Sequence, residues 1–194
     1  DSRGAITSFD PPHRVTYEED WAALTGNDSA DVTPLVTEFL VEARSGGTCI
    51  VRVVTSAFGT GAEWENEFFE EMADGWLPML DNLRLYVETF PGQTATTVWI
   101  ESRAAGTAEG MIDAVRRRLA VARVGDSTAE RGLVAVVERS IGRHLLLRVS
   151  APVQGFMSFT AFSADGQCML GFIGYLFGDG AATYGDTERA AWQA

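Results

Sequence analysis

The stretch from Ala62 to Phe90 constrains this chain more than any other. Trp64, Phe68, Met72, Trp76, Met79, Leu80, Leu83, Val87 and Phe90 recur at steps of three and four. On a helical wheel they fall within an arc of roughly 160°. Glu63, Glu67, Glu70, Glu71, Asp74, Asp81, Arg84 and Glu88 fill the other side. The spacing therefore predicts one long amphipathic helix with a buried stripe and a wet one. Gly75 and Pro78 interrupt its middle. Pro78 has no N–H for the carbonyl of Asp74, which predicts a bend there. Strand-like segments lie on either side and need a cover, and this is the only long helix near them.

The rest of the chain must supply those strands. Gly4 to Phe9 and Arg14 to Trp21 alternate in the strand manner, with the turn Asp10-Pro11-Pro12-His13 between them. In the second, Val15, Tyr17, Glu19 and Trp21 share one face. Residues 22–33 are small and polar and read as a loop. Pro34 to Arg44 and Thr48 to Ala57 form a hairpin about Ser45-Gly46-Gly47. Thr60 is placed to cap the long helix, and Glu63, Glu65 and Glu67 suit its positive end. Pro91-Gly92 closes the helix and marks a boundary. Beyond it, Thr94 to Ser102 reads as a strand and Thr107 to Val124 as a helix capped by Thr107. Four strands follow at hairpin spacing: Gly132 to Arg139, His144 to Ser150, Gly155 to Ser163 and Gln167 to Gly178. The last of their turns is Ala164-Asp165-Gly166. Ala182 to Ala194 opens a closing helix.

Composition removes several classes of function. With 194 residues the chain holds one domain or two small ones. A net charge of −12 argues against nucleic acid and anionic membranes as partners. No apolar run reaches the roughly 18 residues of a membrane span, and no signal peptide is visible, so a cytoplasmic protein is expected. All 15 basic residues are Arg, which excludes a lysine nucleophile or Schiff base. Cys49 and Cys168 lie in apolar runs and read as buried structural thiols. His13 and His144 each sit beside a turn and read as solvated. Without clustered ligands no metal site is expected. No serine-hydrolase elbow, phosphate loop or calcium loop occurs. No cofactor is implied. Asp1 opens directly on a strand and Ala194 ends within a helix, so a fragment is expected.

Three motifs in order resemble a known family. Phe9-Asp10-Pro11-Pro12-His13-Arg14-Val15 resembles the "DPP-hydrophobic" turn of the activator of Hsp90 ATPase homologue family. Gly46-Gly47-Thr48 with its alternating strand resembles that family's next hairpin, and Gly75-Trp76 followed by Leu80 and Leu83 its C-terminal helix. The family belongs to the SRPBCC, or START-like, superfamily. The resemblance covers roughly residues 4–90. It implies an α+β helix-grip fold, an antiparallel sheet packed on a long C-terminal helix with a cavity between. Residues 1–91 would form one such domain lacking its N-terminal elements. Residues 92–194, similar in element order only, would form a second, diverged START-like unit. The resemblance implies no shared catalytic triad.

These readings converge on non-enzymatic binding of a small hydrophobic molecule between the long helix and its sheet. Tyr17, Glu19, Trp21, Trp64, Phe68, Met72, Trp76 and Met79 are the expected lining. Plain core is the competing reading of the helix stripe, and a strand end splayed into solvent that of Glu19. No catalytic residue is assigned. A polyketide cyclase or hydratase is the enzymatic alternative, with Glu19 its candidate base. A module resembling the Hsp90 activator homologues, with a protein partner or a homodimer, is the third.

Overall fold

Two separate antiparallel sheets carry the chain, which is α+β, in a computed structural model that describes residues 4–164 and 167–193. Compactness divides it inside the long helix, between Glu71 and Met72.

The first unit is a meander of β1 (Gly4–Asp10), β2 (Arg14–Glu19), β3 (Leu35–Ala43) and β4 (Cys49–Ser56) in that spatial order. Tyr17 stands opposite Thr37, and Thr37 opposite Thr55. Residues directly opposite share a face, so Tyr17 and Glu19 lie on the side where Leu35 and Thr37 are buried. The polar loop expected over residues 22–33 contains a short helix, α1 (Trp21–Leu24), and a single 3-10 turn, Ser29–Asp31. Asp20 caps α1 by accepting from the Ala23 N–H at 3.1 Å. Ending β2 at Glu19 lets Trp21 turn inward. There its rings meet Trp64, Phe68 and Phe69 at centroid distances of 4.8, 5.1 and 5.2 Å. Its indole N–H donates to the Thr33 carbonyl at 2.8 Å, which satisfies the one polar atom buried with it.

The long helix, α2 (Glu63–Thr89), runs through Pro78 as the spacing predicts. Thr60 does not cap it by accepting. Glu65 instead reaches back and accepts from the Thr60 and Gly61 N–H groups at 2.9 and 2.8 Å, and from the Thr60 hydroxyl at 2.9 Å. These donors, the Thr60 N–H first, hold the Glu65 carboxyl below the usual range although burial works against them. Cys49, expected to be buried, is exposed, because it opens an edge strand.

The second unit contains β5 (Thr96–Ala104), α3 (Ala108–Arg118), β6 (Ser127–Thr128), β7 (Val134–Ile141), β8 (His144–Ala151), β9 (Gln154–Ala164), β10 (Gln167–Phe177) and α4 (Ala181–Gln193). The sheet order is β5-β10-β9-β8-β7-β6. Thr107 caps α3 as expected, accepting from the Gly110 N–H. Asp165 and Gly166 of the last expected turn, and Ala194, lie outside the described residues.

This sheet is buried on both faces. Leu145, Leu147, Val149, Met157, Phe159, Phe172 and Leu176 point to one side and pack with Ile112 and Val115 of α3 and Ala181 of α4. Leu146, Phe156 and Phe177 point to the other and pack with Leu85 and Phe90, at the end of α2 and just past it. Phe90 stacks on Phe177 with centroids 4.1 Å apart. Each such side chain contributes roughly 1.5–3 kcal/mol by leaving water. The stripe expected on this half of the helix is overturned except at its end, where Phe90 is buried as expected. Met79, Leu83 and Val87 are exposed, and Pro78, Asp81, Asn82 and Leu85 are buried in their place. A carboxylate can be buried here because the sheet supplies its counter-ion.

Candidate functional site

That counter-ion is Arg139, and a defect in strand pairing aims it. Along β7 and β8, Val137 faces Leu147, but Arg139 faces Leu146. The extra residue, Glu138, is a bulge. It moves Arg139 off the face that Val137 shares with the α3 core and onto the α2 side. There Arg139 Nε and Nη2 donate to the Asp81 carboxylate at 2.8 and 3.0 Å, a two-pronged pair. The Asp81 side chain is 5% exposed and that of Arg139 40%, so the pair has a buried end and a wet end. The hydrogen bond and charge of Asp81 raise the Arg139 pKa further.

The hairpin after Arg139 brings in a histidine. Gly142 takes φ 47° at the first position of a two-residue turn, a place that favours glycine. Ile141 and His144 are then opposite each other, so His144 shares the α2-facing side with Arg139 and Leu146. His144 is 4% exposed, not the solvated turn residue that its position beside Arg143 suggests. Its Nδ1 lies 3.2 Å from the Phe159 carbonyl and 3.3 Å from the Thr160 hydroxyl. A carbonyl only accepts, so Nδ1 carries the proton and Nε2 presents a lone pair. Nε2 is buried and has no hydrogen-bond partner among the described residues; the same holds for Asn82 Oδ1. Burial holds the His144 pKa down; the Phe159 carbonyl and the Asp81 charge oppose this, while Arg139 adds to it. The ring is thus a neutral acceptor at neutral pH.

The same sheet face continues away from His144 over small residues. Thr160 stands opposite His144 and Gly171 opposite Thr160; Ser158 stands opposite Leu146, Ile173 opposite Ser158, and Trp99 opposite Ile173. Trp99 is 57% exposed and Ile173 half-buried. A Cβ placed on Gly171 would meet nothing closer than the Thr160 carbonyl at 3.6 Å. The face therefore offers a low floor between a buried acceptor at one end and an exposed indole at the other. Among the described residues no group of acids, histidines and cysteines could hold a metal.

The residues expected from sequence to form the site are differently placed. Trp21, Trp64 and Phe68 come together, as the aromatic cluster of the first unit. Tyr17 stacks on Phe39 at 6.3 Å. Glu19 is half-buried and lines an open depression of about 390 Å³ with Glu18, Asp20 and Thr33. Met72 and Trp76 are half-buried, and Met79 is 57% exposed. Asp81, Arg139 and His144 were outside the expected set. A signal for His144 was present: it begins the run His144-Leu145-Leu146-Leu147, apolar at both parities, which marks a strand buried on both faces.

No family model matches the sequence. No curated protein matches it either. Among solved structures, the crystal structure of the di-domain ARO/CYC StfQ from the steffimycin biosynthetic pathway aligns at 12% identity and a TM-score of 0.34. The alignment covers 93% of this chain and 66% of that one. This chain thus spans just under two thirds of that protein's length. A likeness this low carries no argument about activity. No described helix is long and apolar enough to cross a membrane.

Proposed function

We propose that the second unit binds a small, largely apolar molecule on the α2-facing side of its sheet, with the polar groups near His144 holding the molecule's polar end. In this reading the unit is a helix-grip module whose long helix is the second half of α2. The observation that carries the reading is the buried, unpartnered Nε2 of His144. A buried lone pair without a partner costs roughly 1–3 kcal/mol, a cost that a bound ligand would remove. The small floor and the exposed Trp99 supply apolar area beside it. Covering about 200 Å² would give about 5 kcal/mol before association costs, which limits a purely apolar ligand to a Kd of about 0.2 mM at best.

Catalysis on a polyketide-like substrate is the second reading, and the same histidine favours it. A neutral imidazole can take a proton from an acidic C–H or O–H and become imidazolium beside Asp81. Binding is preferred, because Glu101, the carboxylate opposite Gly171 on this face, is exposed to water and not held in the dry layer with His144.

Titration of the full chain with Nile red, a neutral apolar dye, tests the binding face. Dye emission is expected to rise and saturate. Trp99→Ala should weaken the dye about tenfold, a loss of about 1.4 kcal/mol, while Val54→Ala in the first sheet leaves binding unchanged. Equal binding by wild type and Trp99→Ala would reject this face.

A further inference from the structure

Among the described residues, two buried acceptors of the second unit, one on the α2-facing side of the sheet and one on α2, have no hydrogen-bond partner. His144 Nε2 is one, its tautomer set by the Phe159 carbonyl on the opposite nitrogen. Asn82 Oδ1, on the residue next to Asp81, is the other. The cation nearby is committed elsewhere. Arg139 gives two N–H groups of its fork to the two oxygens of Asp81. A ligand carboxylate would have to displace Asp81 or lie against it without a counter-charge, and a buried unpaired anion is costly.

Resting on the binding face proposed above, we infer that the polar end of the ligand is a neutral hydrogen-bond donor, a hydroxyl and not a carboxylate, and that it donates to His144 Nε2. A hydroxyl fits on three grounds. It satisfies the lone pair without bringing charge into a dry layer. It leaves the Asp81–Arg139 pair intact. Its single donor suits one acceptor, and its own lone pairs remain free to accept from the wet end of Arg139. Burial supports the assignment by keeping the imidazole unprotonated at neutral pH.

The test compares three probes of one shape on the full chain: naphthol, its methyl ether and naphthoate, by calorimetry at neutral pH. Naphthol is expected to bind about tenfold tighter than the ether, the value of one well-made hydrogen bond, and naphthoate weakest of all. His144→Phe should bring naphthol down to the ether, while His144→Gln, which keeps a carbonyl acceptor, retains part of the difference. A second measurement needs no variant. In nitrogen-15 spectra of the wild type, naphthol should move the His144 Nε2 resonance upfield and the ether should not. Equal binding of all three probes, with that resonance unmoved, would overturn the hydroxyl assignment and leave the binding face standing. Tightest binding by naphthoate would overturn it as well. If none of the three binds, the binding face and the assignment fall together.

Discussion

The two sheets of this chain are both antiparallel, yet they treat burial in opposite ways. In the first, Trp21, Ala22 and Leu35 are the buried apolar side chains among the described residues, while Ile6, Phe9, Val54 and Phe58 are exposed. In the second, both faces are packed, one by α3 and α4 and the other by the second half of α2. Polar groups change meaning with that difference. In the first unit the well-bonded carboxylates do local structural work. Asp20 accepts from Ser29 and the Ala23 N–H, and Glu65 closes the turn ahead of α2. In the second unit polar groups lie where water is excluded, so a lone pair left open there, as on His144, is expensive and invites a ligand. The two units thus divide into one held by local hydrogen bonds around the Trp21 aromatic cluster and one that can carry a dry site.

The largest expected effect probes the packing half of this comparison. Phe159→Ala should cost about 3–5 kcal/mol in chemical denaturation followed by near-ultraviolet circular dichroism. Val54→Ala, on the exposed first sheet, should stay within about 0.5 kcal/mol. Comparable losses would erase the contrast between the sheets.

A smaller effect sharpens the polar half. Arg139→Ala strands the Asp81 carboxylate in a buried place and should cost about 3 kcal/mol. Asp81→Ala leaves Arg139 with its wet end in solvent and should cost less, about 1–2 kcal/mol. The reverse order would mean that Asp81 is not held in a dry layer.

The smallest effect is one of pH. The folded-state pKa of His144 lies below its ordinary 6.5. The unfolded chain therefore binds the proton first as pH falls, and stability is lost below about 6.5, down toward the folded value. His144→Phe should flatten that part of the stability–pH curve, as followed by denaturation at a series of pH values. An unchanged curve would mean the histidine is hydrated.

Much of this architecture was legible in the sequence. Pattern and turn residues placed the strands, α2 and the Thr107 cap within a few positions, because each depends on neighbours in the chain. The buried side of α2 was not legible beyond Trp76. Its apolar stripe points one way, but tertiary pairing of Asp81 with Arg139 and packing of Leu85 in the sheet's apolar layer turn another side inward, while Phe90 alone of the stripe's last turns stacks on Phe177. Arg139 itself was hidden by the bulge at Glu138, which shifts parity by one residue and leaves no mark in the pattern. Trp21 shows a milder case. It continues the alternation of β2, but Asp20 caps a helix there and carries it into an aromatic cluster.

The most direct test is hydrogen exchange on the full chain, with and without naphthol. Naphthol should increase protection in β8, β9 and β10 and in the second half of α2, and leave β1 to β4 unchanged. Protection gained in β1 to β4 instead, with the second sheet unmoved, would contradict the assignment of the site to the second unit.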